Sequence, residues 1–531
     1  MVMQRFPKSI VLGLHLGLLL LAFAVSVYVR MPNFNQPLGR HHEWITAHTL
    51  LTLKIWEHGG GPENYYFSPV YIYEGEQNKS IGILGGVSDK KGDFYYVSYP
   101  PFAFILPYYA LKIVGAPMSV ASIQIFGFAL HLITALVFYL LLLTVFNRKF
   151  REGVFLPAVI GYLFYLFSAG NLWFHSNVYF VDVLIQFFVF VQLLLFLKIR
   201  KSEFGNKKWH WILFFAVNFI AIYTEWLGLF VAFVFGLIAV VKWISDRQIK
   251  WVISGTLLLL SAGFSLGLTV YQYSSISGFD NLYKVSVTKY ELRSGYSGEQ
   301  GSEHGFSMSN PESYKNLRVH NDRNYRFTLQ ALIVVGILSL CIAIYRRKWF
   351  TADQYFILAV LLAGIILHLL LFFNFNAVHD FSTLKSGTFF ILLLTFSSAV
   401  VLDFVQSFGR NVKIISTAVL SVFLFSKLLG NYNHYMDENS PLNLNYYSSN
   451  VGNAIYHYAN EDEMVFVDSW ILPECMYYAE RNYHSKSSIN DALGLMREWN
   501  IRKGLFIYTK ATDAPVDIYR IFIEGDSIQV K

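Results

Sequence analysis

The sequence predicts a polytopic α-helical membrane protein, and its composition and charge carry that prediction. Of the 531 residues, 54% are hydrophobic and 15% are charged, against about 25% charged residues in average soluble proteins. Uncharged runs near the ~20 residues needed to cross a ~30 Å hydrocarbon core recur along the chain. The formal net charge of +7 is typical of lysine and arginine retained on the cytoplasmic side of a membrane. It does not indicate a nucleic-acid partner.

The apolar runs predict about eleven transmembrane helices. The first run follows Arg5 and Lys8, is longer than a signal-peptide core and has no small-residue cleavage site after it, so we expect it to remain as an anchor. The run 102–114 is short for a crossing and predicts an interfacial or re-entrant helix, which the prolines at 100 and 101 separate from the preceding chain. The first three crossings are expected at about 10–29, 120–146 and 154–169, and the fourth ends at 197. The fifth and sixth cover about 209–224 and 227–241, the seventh ends at about 271 and the eighth ends at 346. The ninth and tenth lie on either side of the turn 374–381, and the eleventh covers about 414–429.

The placement of charge in the loops predicts the orientation. The loops 147–151, 198–208, 242–250 and 346–348 are basic. The short turns predicted after the third, fifth and ninth crossings contain no lysine or arginine; they are 170–177, 225–226 and 374–381. This asymmetry follows the positive-inside rule and puts the N-terminus inside. The large loops 30–98 and 273–326 then lie outside. The sequence therefore predicts a transmembrane domain over 1–430 and an extracytoplasmic domain over 431–531.

The tail differs in character from the rest of the chain. Short apolar runs at 464–468 and 505–508 predict buried strands, and apolar residues at helical spacing predict helices at 449–458 and 473–481. Strands that alternate with helices indicate a small α/β domain. It has no Gly-rich phosphate loop, so we assign it no cofactor and regard a lid or docking module as the simplest interpretation. Cys341 lies in a predicted span and Cys475 in the tail, so no disulfide is expected.

The first candidate site is the run Gly39-Arg40-His41-His42-Glu43-Trp44, in a flexible polar loop just after the first crossing. Its spacing excludes the zinc-protease pattern, because Thr46 stands where the second histidine would be. A carboxylate at a water-poor interface suits a general base, which makes Glu43 a catalytic candidate. His41 and His42 suit a phosphate, a divalent metal or a proton relay. The alternative is an interfacial polar patch without chemistry.

A second acid, Asp182, lies a few residues inside the fourth crossing, where an unpaired charge is costly. Its predicted depth is level with Glu43. Other polar residues stand at the same outer helix ends; each alone is more often a helix-end residue, but together they indicate a shared site. Cations on the same face suit a phosphate, because arginine can donate two hydrogen bonds at once. The candidate binding residues are Arg40, His41, His42, His175, Glu225, Arg293, His379, Asp380 and Lys385.

These motifs together resemble the integral membrane glycosyltransferases of the GT-C superfamily, in the bacterial branch related to the aminoarabinose and protein mannosyl transferases. The resemblance rests on the runs 39–44 and 99–102, on Asp182 with the apolar run behind it, on Thr224-Glu225-Trp226, on the arginine-bearing second loop and on the terminal domain. It spans most of the chain. The family more often has Asp where Glu43 stands, and Glu43 reaches one methylene further.

The resemblance implies a hexosyl or pentosyl transferase of cell-envelope glycan biosynthesis in a bacterial inner membrane. The donor would be a sugar on polyprenyl phosphate, the acceptor a glycolipid, a glycan or a protein, and the transfer would occur on the outer face with inversion. Glu43 and Asp182 match the two acids of the family, and a divalent metal is left open.

Two interpretations from other classes compete. A transporter or flippase of lipid-linked saccharides would place its site near the midplane and show internal repeats, whereas here the ionisable residues cluster at outer helix ends. In a non-catalytic assembly or receptor subunit, the tail would be the functional part. The enzyme hypothesis predicts that Glu43 and Asp182 flank one cavity open to water and to lipid.

Overall fold

The computed structural model describes residues 8–71, 73, 86–203, 207–296, 305–509, 517–524 and 527–530, and most of them are helical. The helices up to the terminal domain are α1 (Lys8–Arg30), α2 (Glu43–His58), α3 (Phe102–Val114), α4 (Val120–Val145), α5 (Leu156–Phe167), α6 (Ala169–Asn177), α7 (Val181–Arg200), α8 (Lys208–Ile222), α9 (Trp226–Asp246), α10 (Ile249–Ser277), α11 (Phe279–Ser294), α12 (Pro311–Arg346), α13 (Ala352–Leu371), α14 (Phe373–Val378), α15 (Thr383–Val405) and α16 (Arg410–Glu438).

Nine of the described helices are long and apolar enough to cross a membrane, and ten if α5 and α6 form one bent crossing. The chain is thus an integral multi-pass membrane protein, as predicted. The predicted crossing 209–224, the fifth along the chain, corresponds to α8, which has 15 residues. At 1.5 Å per residue it measures about 22 Å, which is short for a ~30 Å hydrocarbon core. The number eleven therefore stays a prediction.

The turn predicted at 170–177 is wrong, because this stretch forms the buried helix α6, bent by 56° from α5. Ser168 lies in the break with an extended backbone. Its Oγ donates to the carbonyl of Phe164 at 2.5 Å, and Nδ2 of Asn171 donates to the carbonyl of Tyr165 at 2.7 Å. Side chains thus supply hydrogen bonds to the last turn of α5, which lets the chain bend there without leaving the protein interior.

The two predicted outer loops contain regular structure. Segment 30–98 holds α2 and an antiparallel hairpin of β1 (Gly86–Ser88) and β2 (Phe94–Tyr96). Segment 273–326 holds α11 and the first half of α12, which is kinked at Tyr325. The Tyr325 side chain is fully buried, and its hydroxyl donates to Oδ1 of Asn171 at 2.8 Å. This contact joins the kink to α6.

The terminal domain is the small α/β unit that the sequence predicts. Its five strands stand in the order β4-β3-β5-β6-β7, with β3 parallel to both of its neighbours and the last three strands antiparallel. Both cysteines of the chain are free. The elements are α17 (Tyr447–Tyr458), β3 (Met464–Val467), α18 (Pro473–Ala479), β4 (His484–Ser485), α19 (Ile489–Glu498), β5 (Lys503–Tyr508), β6 (Asp517–Glu524) and β7 (Ser527–Val530).

The terminal domain docks on α2 through α18. The backbone N–H of Leu38 donates to the hydroxyl of Tyr478 at 2.9 Å. Lys54 of α2 pairs with Glu480 at 2.6 Å and lies 4.4 Å above the ring of Tyr477. The domain therefore covers the loop that leads into α2, where the first candidate residues lie.

Candidate active site

Glu43 is the first residue of α2, and its carboxylate closes the turn that precedes the helix. Its Oε2 accepts hydrogen bonds from the backbone N–H groups of Gly39 (3.1 Å) and Arg40 (2.9 Å). Its Oε1 accepts from the Arg40 guanidinium and from Nδ2 of Asn177, each at 3.1 Å. The side chain is 1% exposed. The expectation that Glu43 lies in a flexible loop is therefore wrong, because four donors fix it inside the protein.

The loop before Glu43 is held from both sides. Gly39 has a φ of 153°, and a Cβ on it would lie 2.8 Å from the carbonyl oxygen of Asn445, so only glycine permits this approach of the terminal domain. Arg40 donates from Nη1 to Oδ1 of Asn33 at 2.6 Å and stacks 4.9 Å above Trp173. Its guanidinium is positioned by these contacts as well as by Glu43.

His41 and His42 each contact one oxygen of the buried Asp380 carboxylate. Nε2 of His41 lies 2.8 Å from Oδ2, and Nε2 of His42 lies 2.8 Å from Oδ1. Their Nδ1 atoms face Arg323 (3.5 Å) and Trp44 (3.3 Å). Since those side chains can only donate, each Nδ1 accepts and each Nε2 carries its proton toward Asp380. Burial lowers the pKa of His41 while Asp380 opposes that shift.

Among the described residues, His41, His42 and Asp380 form a group whose side-chain atoms could bind a metal ion. One ligand atom from each lies within 4.8 Å of the others. Two imidazole nitrogens and a carboxylate oxygen form a donor set for zinc and related metals. Metal ligands must be deprotonated, so an ion would replace the protons that now point from the imidazoles to Asp380.

Asp182 stands in the first turn of α7 and forms an ion pair with Lys385 of α15, with both side chains 2% exposed. Nζ of Lys385 also lies 3.8 Å from Oε1 of Glu225, which is 3.1 Å from Nε2 of His368. Glu225 caps α9 by accepting a hydrogen bond from the N–H of Leu227 at 2.6 Å. Two acids therefore share one lysine, which is the arrangement that lets charges persist inside a membrane domain.

Arg293 of α11 adds a second cation beside this pair. It donates to the hydroxyl of Tyr96 at 3.1 Å and lies over the rings of Tyr99 (4.7 Å) and Phe375 (5.0 Å). It is close enough to Asp182 to interact with it electrostatically. Tyr99 begins the Tyr-Pro-Pro-Phe motif, so this motif forms a wall of the cation site.

Two histidines lie in different surroundings. His379 belongs to the Asp380 cluster, with its ring 6.0 Å from that of His42 and 5.0 Å from that of Phe381. His175 lies apart, because it is buried in α6 and stacked at 4.1 Å on His131, which in turn accepts from Arg30 at 3.0 Å. The structure thus brings all the predicted site residues except His175 into three neighbouring clusters.

Short stretches of chain connect those clusters. Asn177 holds Glu43 and stands five residues before Asp182. Asp380 holds both histidines and stands five residues before Lys385. Glu43 and Asp182 are both almost completely buried. The sequence predicts that both side chains face one open cavity. In the described part of the chain, neighbouring residues instead cover both of them.

Sequence reasoning missed Asn177 and Glu474. Asn177 fell in the stretch predicted as a turn. Glu474 of α18 is 6% exposed, and burial, with a smaller contribution from Glu43, raises its pKa to about 7. An acid after a proline at a helix start is ordinary in a sequence, so nothing in the sequence signals its burial.

The fold of this chain is similar to that of solved GT-C glycosyltransferases. AglB from Archaeoglobus fulgidus, an archaeal oligosaccharyltransferase in complex with an inhibitory peptide and a dolichol-phosphate, is similar over 93% of this chain and 69% of its own (TM-score 0.56, 11% identity). ArnT from Cupriavidus metallidurans bound to undecaprenyl phosphate is similar over 93% of both chains (TM-score 0.54, 11% identity).

The Archaeoglobus fulgidus enzyme in complex with zinc and sulfate is also similar, over 92% of this chain and 67% of its own (TM-score 0.55, 12% identity). No family model matches the chain, and no curated protein matches it in sequence. At these identities the likeness concerns the fold. The GT-C fold that the motifs predict is thereby confirmed.

Proposed function

We propose that this chain is a glycosyltransferase that moves a sugar from a polyprenyl-phosphate donor to an acceptor hydroxyl, with inversion. The observation that carries the proposal is the set of buried acids and cations, Glu43 with Arg40 and Asp182 with Lys385, at one end of a GT-C fold. Two proteins with that fold are described with a dolichol-phosphate or an undecaprenyl phosphate bound. A lipid phosphate likewise suits apolar helices that end at buried cations.

Glu43 is the proposed general base. The acceptor oxygen attacks the anomeric carbon, its proton passes to the Glu43 carboxylate, and the bond from that carbon to the phosphate oxygen breaks. Attack opposite the leaving phosphate inverts the centre without a covalent intermediate. Because Glu43 accepts four hydrogen bonds in this structure, the acceptor has to displace one donor. Asn177 is the side-chain donor without charge, so it is the one we expect to yield.

Asp182 is proposed to position the donor site through Lys385. The polyprenyl phosphate leaves with the electron pair of the broken bond, and a phosphate is acidic enough to leave without a general acid. Lys385 and Arg293 are the proposed positive charges for it, since a planar guanidinium can hold two phosphate oxygens at once. Asp182 and Glu225 keep the ammonium of Lys385 in place.

We place the Glu43 end of the helices outside a bacterial inner membrane, with the N-terminus in the cytoplasm. The basic segments at the opposite helix ends support this orientation. Segments 30–98 and 273–326 and the domain 431–531 then face the outside, where a glycolipid, glycan or protein acceptor would arrive.

The group of His41, His42 and Asp380 is the proposed place for a divalent metal, which would supply positive charge near the first turn of α2. The base step as written does not depend on it. Elemental analysis of the purified chain tests the proposal: bound zinc or manganese that is lost in His42→Gln supports a metal site. A metal-free chain with full turnover in the presence of a chelator contradicts it.

Transfer is tested with the purified full chain in proteoliposomes that contain undecaprenyl-phosphate-linked hexoses and pentoses labelled in the sugar. A glycosyltransferase releases undecaprenyl phosphate and passes the label to an acceptor, and Asp182→Asn serves as the inactive control. A flippase moves the intact donor between leaflets without breaking it, and that outcome would overturn the proposal. Surface glycans of cells with and without the chain then identify the sugar and the acceptor.

A further inference from the structure

A cavity of about 820 Å³ lies at the end of the helical bundle opposite Glu43. Helix α15 begins beside Asp380 and runs for 23 residues to this cavity, so at 1.5 Å per residue the two ends are about 34 Å apart. The wall is built from the ends of α4, α5, α12, α13, α15 and α16. The cavity therefore belongs to no part of the site described above.

Cations from separate segments surround the cavity. The basic lining residues are Arg148, which follows α4, Arg346 at the end of α12, Lys348 just beyond it, and Lys413 in the first turn of α16. Asp403 is the one acid among the lining residues. Four basic side chains therefore line the same cavity. The positive-inside tendency explains basic residues on this side of the membrane, but it does not explain why they surround one cavity.

The positive charge is only partly balanced. Asp403 pairs with Arg346 at 2.7 Å, and Glu152 lies 3.9 Å from Arg148. Within the described residues, Lys348 and Lys413 form no ion pair. A ligand with negative charge would therefore find two lysines whose charge is not already matched.

One wall of the cavity is apolar. Val154 and Leu156 line it with side chains that are 54% and 37% exposed. Trp349 lines it as well and donates from its indole N–H to Oγ of Ser339 at 2.7 Å. Tryptophan favours the level of lipid headgroups. A cationic rim beside an apolar wall at that level matches an amphipathic ligand better than a soluble anion.

We propose that this cavity binds the phosphate headgroup of an anionic membrane lipid, with an acyl chain against Val154 and Leu156. Basic pockets between transmembrane helices are a known means of binding such headgroups. The site is distinct from the proposed donor site and does not depend on glycosyl transfer. The same phosphate chemistry is available from free inorganic phosphate, which lacks the chain for the apolar wall.

The test uses the purified full chain in detergent and measures bound lipid by native mass spectrometry, with phosphatidylglycerol and with phosphatidylcholine of matched chains. Each lysine near an anionic lipid contributes about 1 kcal/mol, which is about fivefold in affinity. The double variant Lys348→Gln/Lys413→Gln should therefore bind phosphatidylglycerol about 25-fold more weakly. Lys207→Gln/Lys208→Gln is the matched control. These two exposed lysines lie at the start of α8, at the same end of the bundle, and are not among the residues that line the cavity.

The arms of the experiment separate the sources of phosphate. Tight phosphatidylglycerol binding that millimolar inorganic phosphate does not displace supports the lipid, and full displacement assigns the site to free phosphate. The proposal is overturned if the double variant binds phosphatidylglycerol as tightly as the wild type, if the control loses as much affinity, or if phosphatidylcholine binds equally well. Thermal unfolding of each variant checks that it is folded.

Discussion

Replacing Glu43 by glutamine removes the proposed base and also disturbs the turn before α2. The carboxylate accepts four hydrogen bonds, whereas an amide oxygen accepts two and the amide nitrogen can only donate. Two of the four N–H groups that now bond the carboxylate would then point at the amide nitrogen, which cannot accept a hydrogen bond. A hydrogen bond to a charged group contributes about 1.5–3 kcal/mol, so we expect Glu43→Gln to lower the free energy of unfolding by about 3–6 kcal/mol.

The loss of turnover should exceed what this disturbance explains. General-base assistance contributes about 10²–10⁴-fold in rate, so Glu43→Gln should lose at least that factor per folded molecule. Asn177→Ala is the matched control, because it removes one donor from the same carboxylate and leaves the base. It should cost about 1.5–3 kcal/mol of stability while turnover stays within about tenfold of the wild type, which is about 1.4 kcal/mol of barrier.

The assay is release of undecaprenyl phosphate from the labelled donor, normalised to the folded fraction from thermal unfolding. Equal losses in Glu43→Gln and Asn177→Ala would show that the carboxylate acts only by holding the loop. Turnover of Glu43→Gln within about tenfold of the wild type would refute the base outright.

Three further predictions follow from the two acids, the orientation and the terminal domain. Asp182→Asn should weaken binding of undecaprenyl phosphate as well as turnover, whereas Glu43→Gln should spare binding; the opposite pattern exchanges their roles. In intact cells, a membrane-impermeant maleimide should label cysteines at Lys90 and Ser309 in a Cys341→Ser/Cys475→Ser background but not one at Lys208, and labelling at 208 contradicts the proposed orientation. Burial raises the pKa of Glu474 from 4.5 to about 7, so between these pH values the folded chain keeps a proton that the unfolded chain has lost. The free energy of unfolding should fall by about 3 kcal/mol as pH rises across that window; Glu474→Gln should flatten this slope in thermal unfolding, and an unchanged slope rules out Glu474 as its source.

The sequence predicts the helices and the terminal domain well because their signals are local. A run of apolar residues defines a crossing, and alternating strands and helices define the α/β unit wherever the rest of the chain lies. The turn predicted at 170–177 is wrong for the same reason, because the local sequence shows only that the stretch is polar. The stretch is polar enough for a turn, and it becomes a buried helix because Asn171 bonds the end of α5 and the hydroxyl of Tyr325 bonds Asn171.

The pairings within the site are not local, and the sequence does not reveal them. Lys385 and Asp182 are 203 residues apart, and His41 and Asp380 are 339 residues apart. Hydropathy places each residue at a helix end, but only the packing of α7 against α15 decides which cation meets which acid. The burial of Glu43 depends in the same way on Asn177 and on the approach of Asn445 to Gly39.

From the spacing of these contacts we infer that the two halves of the proposed reaction are coupled. The first turn of α7 carries Asp182, five residues after the Asn177 that holds Glu43. The first turn of α15 carries Lys385, five residues after the Asp380 that holds both histidines. A phosphate bound to Lys385 would therefore act on the segment that fixes His41 and His42, directly before Glu43 in the chain. Since Glu43 is closed to water in this structure, we expect donor binding to loosen that loop first, so that the acceptor reaches the base only when a donor is in place.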